Sequence, residues 1–122
     1  MSIRRVVPLV KSEHLEESRE FYTDFLGLTL AMDLGHIMTY VSPTNPTAQI
    51  SMLRDDGNEA GPQVGIEVAD VAEVYQRAVA RGLNIIYPLT DEPWGVRRFF
   101  VVDPNGVILN VMSHLPQPES PK

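Results

Sequence analysis

Few side chains in this chain suit covalent or metal chemistry. Half of those that could contact a ligand fall in one stretch. Residues 91–114, DEPWGVRRFFVVDPNGVILNVMSH, hold the only Trp, Trp94, the pairs Arg97–Arg98 and Phe99–Phe100, and an Asp-Pro-Asn-Gly turn. Trp94 and Phe100 offer aromatic faces, which suit planar or cationic ligands. Arg98 adds a guanidinium and Asn110 an amide. Earlier in the chain, Gln49, Ser51 and Gln63 supply further amide and hydroxyl groups, and Tyr40 a further ring. An apolar wall with a few convergent polar groups is the usual makeup of a small-molecule pocket. Each group also has a plainer use. Trp94 could pack the rim of a hairpin. Arg98 could form a surface ion pair with Glu67 or Asp91. Asn110 could be an ordinary satisfied polar side chain.

Other chemistries are excluded or unsupported. Cys is absent, which removes disulfides, thiolate metal sites and a Cys nucleophile. Its absence is compatible with a cytoplasmic location. The three His residues, His14, His36 and His114, sit at a helix start, beside a turn and past the last strand, and read as surface or capping residues. No Ser/His/Asp arrangement, phosphate-binding loop or dinucleotide fingerprint is present. The residues call for no cofactor. The net charge is −6 and no Lys/Arg cluster exceeds two residues, so no nucleic-acid partner is expected. No apolar run is long enough for a membrane span. The N-terminal MSIRRVVPLV reads as a first strand and not a signal peptide.

These side chains must be positioned by a repeated set of elements. Ile3 to Val10 is apolar and β-branched, a strand. Leu15, Ser18, Phe21, Tyr22, Phe25 and Leu26 follow at helical spacing, with Ser12 or His14 near the N-cap and Gly27 as the stop. Leu28 to Met32, Ile37 to Val41 and Gln49 to Leu53 read as three strands separated by turn residues. After a polar loop over 54–62 the order recurs. Gln63 to Val68 is a strand, and Asp70 caps a helix with apolar Val71, Val74, Tyr75 and Ala78 that ends at Gly82. Asn84 to Tyr87, Val96 to Val102 and Val107 to Met112 are three more strands, the last two joined by the Asp103–Gly106 turn. Residues 115–122 carry three Pro and read as a frayed tail.

The expected fold class is therefore α+β: two tandem βαβββ modules, about 3–54 and 62–114, in one domain over 1–114. Alternation within strands indicates how they are used. Val64, Ile66 and Val68 oppose Gln63, Gly65 and Glu67; Ile50 and Met52 oppose Gln49 and Ser51. One face is apolar, as required beneath a helix, and the other offers polar groups from several strands. The expectation is a cupped mixed sheet with the helices on the outer face. Arg98 and Phe100 fall on the same face as Asn110.

The segment EESREFYTDFLGLTL resembles the FY-x-x-x-LG-L signature of the vicinal oxygen chelate superfamily, the glyoxalase, bleomycin-resistance and extradiol dioxygenase group. VGIEVADVAEVYQRAVARG resembles the start of that family's second module, and EPWGVRRFFVVDPNGVILNV its end. The closing stretch is most similar to bleomycin-resistance-type members. The resemblance spans roughly residues 3–114 and is specific for the fold, whereas activities within the group differ widely.

Metal-dependent members carry four His, Glu or Gln ligands, two per module. Carried over residue by residue, these positions are Val7, Ser51, Gln63 and Asn110. Val7 cannot ligate, Ser51 and Asn110 are weak neutral donors, and Gln63 alone is an accepted ligand. The resemblance thus implies a protein that is not a metal enzyme and binds a small hydrophobic or aromatic ligand, such as an aromatic or cationic antibiotic, in the cup. It places Phe100 where relatives carry an aromatic that contacts the ligand, and it implies a homodimer. The alternative is a metal-dependent lyase, isomerase or dioxygenase.

Overall fold

In the computed structural model, residues 2–55 and 61–116 are described. The central part of the 54–62 loop and residues 117–122 of the expected tail lie outside them. The strands are β1 (Ile3–Ser12), β2 (Thr29–Asp33), β3 (Ile37–Val41), β4 (Gln49–Arg54), β5 (Val64–Val68), β6 (Ile85–Glu92), β7 (Val96–Val102) and β8 (Ile108–His114). Helix α1 (Leu15–Glu20) runs into a π-helical turn (Phe21–Phe25), and α2 spans Val71–Ala80.

The eight strands form one mixed sheet in the order β2-β3-β4-β1-β5-β8-β7-β6. The α+β reading holds. Each module pairs its first strand in parallel with its last. Leu9 lies opposite Ser51 in β1/β4, and Gly65 lies opposite Asn110 in β5/β8. Ser51 and Asn110 thus occupy equivalent places in the two modules. The modules join through antiparallel β1 and β5, where Val7 pairs with Gly65 and Arg5 with Glu67. A single chain therefore builds one continuous sheet from both halves.

Each module has its own core beneath its helix. Leu15, Met38, Tyr40 and Met52 fill the first, with Tyr22 against them. Val68, Val71, Ala78, Phe99, Val101 and Val111 fill the second. Burying a large apolar side chain contributes roughly 1.5–3 kcal/mol, so these two clusters fix which face of each strand turns away from the helices. Asp70 caps α2 by accepting from the Glu73 amide at 3.3 Å, as expected. At α1 the cap is indirect: Ser12 Oγ accepts from the His14 amide at 2.9 Å.

Two elements depart from expectation. The first helix was expected to bury Phe21 and Phe25 along one α-helical face. The π turn widens the spiral and shifts that face, leaving Phe21 49% and Phe25 73% exposed while Tyr22 stacks on Tyr40. The strand expected to stop at Tyr87 instead continues through Pro88 to Glu92. Pro88 is tolerated because β6 is an edge strand, and the register slips between Tyr87 and Thr90.

Candidate functional site

The face away from the helices curves around a cavity of about 560 Å³, lined by both modules. Strand alternation supplies its wall. Arg5, Val7, Leu9 and Lys11 point in from β1; Gln49, Ser51 and Leu53 from β4; Gly65 and Glu67 from β5; Arg98 and Phe100 from β7; Asn110, Met112 and His114 from β8. Of the side chains expected at a ligand, Gln49, Ser51, Trp94, Arg98, Phe100 and Asn110 are brought together here.

Two are not. Tyr40 was expected to reach the cavity, but Ile37 and Thr39 are the residues of β3 that line it, so Tyr40, one place out of step with them, points to the opposite side. It is fully buried, with its ring 5.2 Å from that of Tyr22 and its hydroxyl 3.6 Å from Met38 Sδ. Burial pushes the Tyr40 hydroxyl above its ordinary pKa. Gln63 precedes β5, and its Oε1 accepts from the Ile108 amide at 3.2 Å. Its main chain bonds Leu9 and Ile108. Gln63 therefore ties β1, β5 and β8 together instead of lining the cup.

The wall around Arg98 is tightly organised. Arg98 Nε donates to Glu92 Oε2 at 2.7 Å, and the Tyr87 hydroxyl donates to the same oxygen at 3.0 Å. The Glu92 side chain is only 9% exposed. The guanidinium carbon lies 4.8 Å from the Phe100 ring centre, 5.1 Å from Trp94 and 5.4 Å from Tyr87. Three rings thus surround one cation, an arrangement that both stabilises and orients it. Trp94 sits in the β6–β7 turn, where Gly95 adopts φ 87° and closes the hairpin. The expected ion-pair partners of Arg98 are used by others. Asp91 pairs with Arg97 at 2.5 Å, and that hydrogen bond holds its carboxyl below the ordinary range. Glu67 pairs with Arg5 and, at 3.0 Å, with His114 Nδ1.

Tyr87, Glu92, Arg5, Glu67 and His114 were missed as site residues. Alternation could have found three of them. Arg5 lies two residues from Val7, Glu67 shares the polar face of Gly65, and His114 lies four residues beyond Asn110. Tyr87 and Glu92 are different, because the slip near Pro88 breaks the alternation that would have placed them.

A divalent metal does not fit the four family positions. Val7 presents hydrocarbon. Ser51 is 4% exposed and shares a 2.7 Å hydrogen bond with Thr39 Oγ1. Gln63 Oε1 is engaged by Ile108. Asn110 Oδ1 is buried and without a hydrogen-bond partner, but an amide oxygen alone is a poor anchor for a transition metal. Among the described residues no three His, Asp or Glu side chains group to hold an ion. No helix among them is long and apolar enough to cross a membrane.

The same architecture recurs in solved structures. A hypothetical protein from Bacillus halodurans C-125 superposes with a TM-score of 0.72 at 17% identity, covering 98% of this chain and 100% of that one. Methylmalonyl-CoA epimerase from Mycobacterium tuberculosis gives 0.70 at 20% identity over 94% of this chain and 89% of its own. A glyoxalase/bleomycin resistance protein/dioxygenase superfamily member from Vibrio splendidus 12B01 gives 0.69 at 19% identity over 92% and 99%. At these identities the likeness concerns the fold. No curated protein matches the sequence. Residues 7–111 match the model of the Glyoxalase/Bleomycin resistance protein/Dioxygenase superfamily, and the chain belongs to that superfamily.

Proposed function

We propose that this chain is a metal-independent binding protein that holds a small planar ligand in the cup. The observation that supports this reading is the donor set at the four family positions, Val7, Ser51 and Asn110 in the cavity and Gln63 engaged by Ile108 outside it, beside a cavity that has an aromatic wall and converging polar groups. A cavity of about 560 Å³ lies within the range of drug-sized sites. The aromatic faces around Arg98 are already occupied by its own guanidinium. That occupancy disfavours a cationic ligand at this wall and leaves a flat, mostly apolar one as the better match.

The test combines elemental analysis of purified protein with a thermal-shift screen of planar aromatic natural products. Metal-free protein stabilised by such compounds, with stabilisation lost in Phe100→Ala, is the expected outcome. Stoichiometric divalent metal, or no response to any compound, would overturn the reading.

A homodimer is part of the proposal. Val6, Val10, Phe21 and Phe25 leave apolar surface exposed away from the cup, and such surface favours association when contiguous. Light scattering at micromolar concentration checks it, and a monomer would remove this part.

A further inference from the structure

We infer that the ligand of the cup is an organic acid, held by its carboxylate against the free edge of Arg98. The inference rests on the binding reading above and adds the charge of the ligand. The guanidinium has two kinds of donor, and only one is used. Nε is bound to Glu92 at 2.7 Å. Among the described residues neither terminal nitrogen of Arg98 has a hydrogen-bond partner, and neither is among the buried unpartnered atoms. Both therefore keep some accessible surface, and Arg98 is one of the residues that line the cavity. A guanidinium held through Nε, with three rings fixing its plane, presents a preorganised pair of parallel N–H donors. That is the geometry that matches a carboxylate.

A second, independent observation lies one strand away. Asn110 is directly opposite Phe100, next along the cup face to Arg98. Its Oδ1 is buried with no partner, and no hydrogen bond from its amide nitrogen is formed within the described residues. A buried carbonyl oxygen left unsatisfied carries a cost that a bound polar ligand would remove. An acid function close to Arg98 and an N–H or O–H beside it would satisfy both groups.

Charge points the same way. Arg5, Lys11, Arg54 and Arg98 line the cup, against Glu67 and the Glu92 that holds Arg98. A chain of net charge −6 thus concentrates cations on one concave face. Such a surface attracts anions and repels cations.

The experiment uses three probes of one shape and three charges: 2-naphthoate, 2-naphthamide and 2-naphthylmethylammonium. The single Trp lies 5.1 Å from the Arg98 guanidinium, so its fluorescence reports occupancy. Naphthoate is expected to bind roughly tenfold or more tightly than naphthamide, the span of a charge-assisted hydrogen bond. The ammonium probe should bind weakest. Raising salt should weaken naphthoate and leave naphthamide unchanged. Arg98→Gln should reduce the naphthoate preference to about threefold or less. Because that variant strands Glu92, the double variant Glu92→Gln, Arg98→Gln removes the pair together and should lose the preference equally. Equal binding of amide and acid, without salt dependence, overturns the anionic ligand while the binding reading stands. No binding of any probe overturns both.

Discussion

Glu92 holds Arg98 through Nε at 2.7 Å across the turn between β6 and β7, with side chains only 9% and 21% exposed. The pair is local in sequence, six residues apart, yet it orients the group that dominates one wall of the cup. Most ion pairs among the described residues are more exposed; Arg77 and Glu73, for example, are 62% and 55% exposed. Exposed pairs contribute about 0–1 kcal/mol, whereas removing one member of a largely buried pair leaves a charge without compensation.

Glu92→Gln should therefore destabilise the protein by about 2–3 kcal/mol, below the range for fully buried pairs because Arg98 retains some solvent. Arg77→Gln should cost less than about 0.5 kcal/mol. Urea unfolding of the two variants checks this. The contrast fails if both variants unfold at the same midpoint.

Phe99 and Phe100 are adjacent but face opposite sides of β7. Phe99 is fully buried against Tyr75, with ring centres 5.1 Å apart. Phe99→Ala should cost about 3–5 kcal/mol. Phe100→Ala should cost roughly 1–2 kcal/mol, in keeping with partial burial, and weaken ligand binding in the cup. Parallel denaturation and fluorescence titration separate the two effects.

Tyr40 is a core residue in the structure, on the face away from the cup. Tyr40→Phe removes only a weak hydroxyl–sulfur contact and should change stability by less than about 1 kcal/mol. Tyr40→Leu should lose the stack on Tyr22 and cost roughly 1–3 kcal/mol. Neither should alter the affinity of a cup ligand. A large change in affinity for Tyr40→Phe, with stability intact, would place its hydroxyl at the ligand after all.

Asp103 sets the β7–β8 turn. Its Oδ1 accepts from the Val107 amide at 2.9 Å and the Asn105 amide at 2.8 Å. The Val107 hydrogen bond is the main cause of a carboxyl pKa below the ordinary value. The folded pKa is depressed, so this stabilisation is present above the unfolded Asp pKa and is lost as pH falls through the folded one. Asp103→Asn keeps an acceptor but cannot ionise. The melting temperature of the wild type should thus fall more steeply than that of Asp103→Asn between pH 5 and pH 2. Parallel acid limbs would remove the role assigned to the charge.

How much of this was legible in the sequence depended on local regularity. Where a strand alternates cleanly, one assigned residue orients the rest. Gln49 and Ser51, and likewise Arg98, Phe100 and Asn110, face the cup because period-two geometry leaves no other option once Met52, Phe99 and Val111 are buried. In β3 the pattern is ambiguous, since Ile37, Met38, Tyr40 and Val41 are all apolar, and only packing beneath α1 sent Tyr40 inward. The π turn at Phe21–Phe25 gave no periodic signal of its own.

The order of elements, the two-module repeat, the helix caps and turns, and the residue types at the four family metal positions were set by the sequence alone, because each depends on residue type or short-range spacing. Tertiary structure decided the rest. Pairing of β1 with β5 brought both modules of one chain around a single cavity. The register slip beside Pro88 brought Tyr87 and Glu92 to Arg98. Those contacts depend on strand pairing and packing, which no local pattern in the chain encodes.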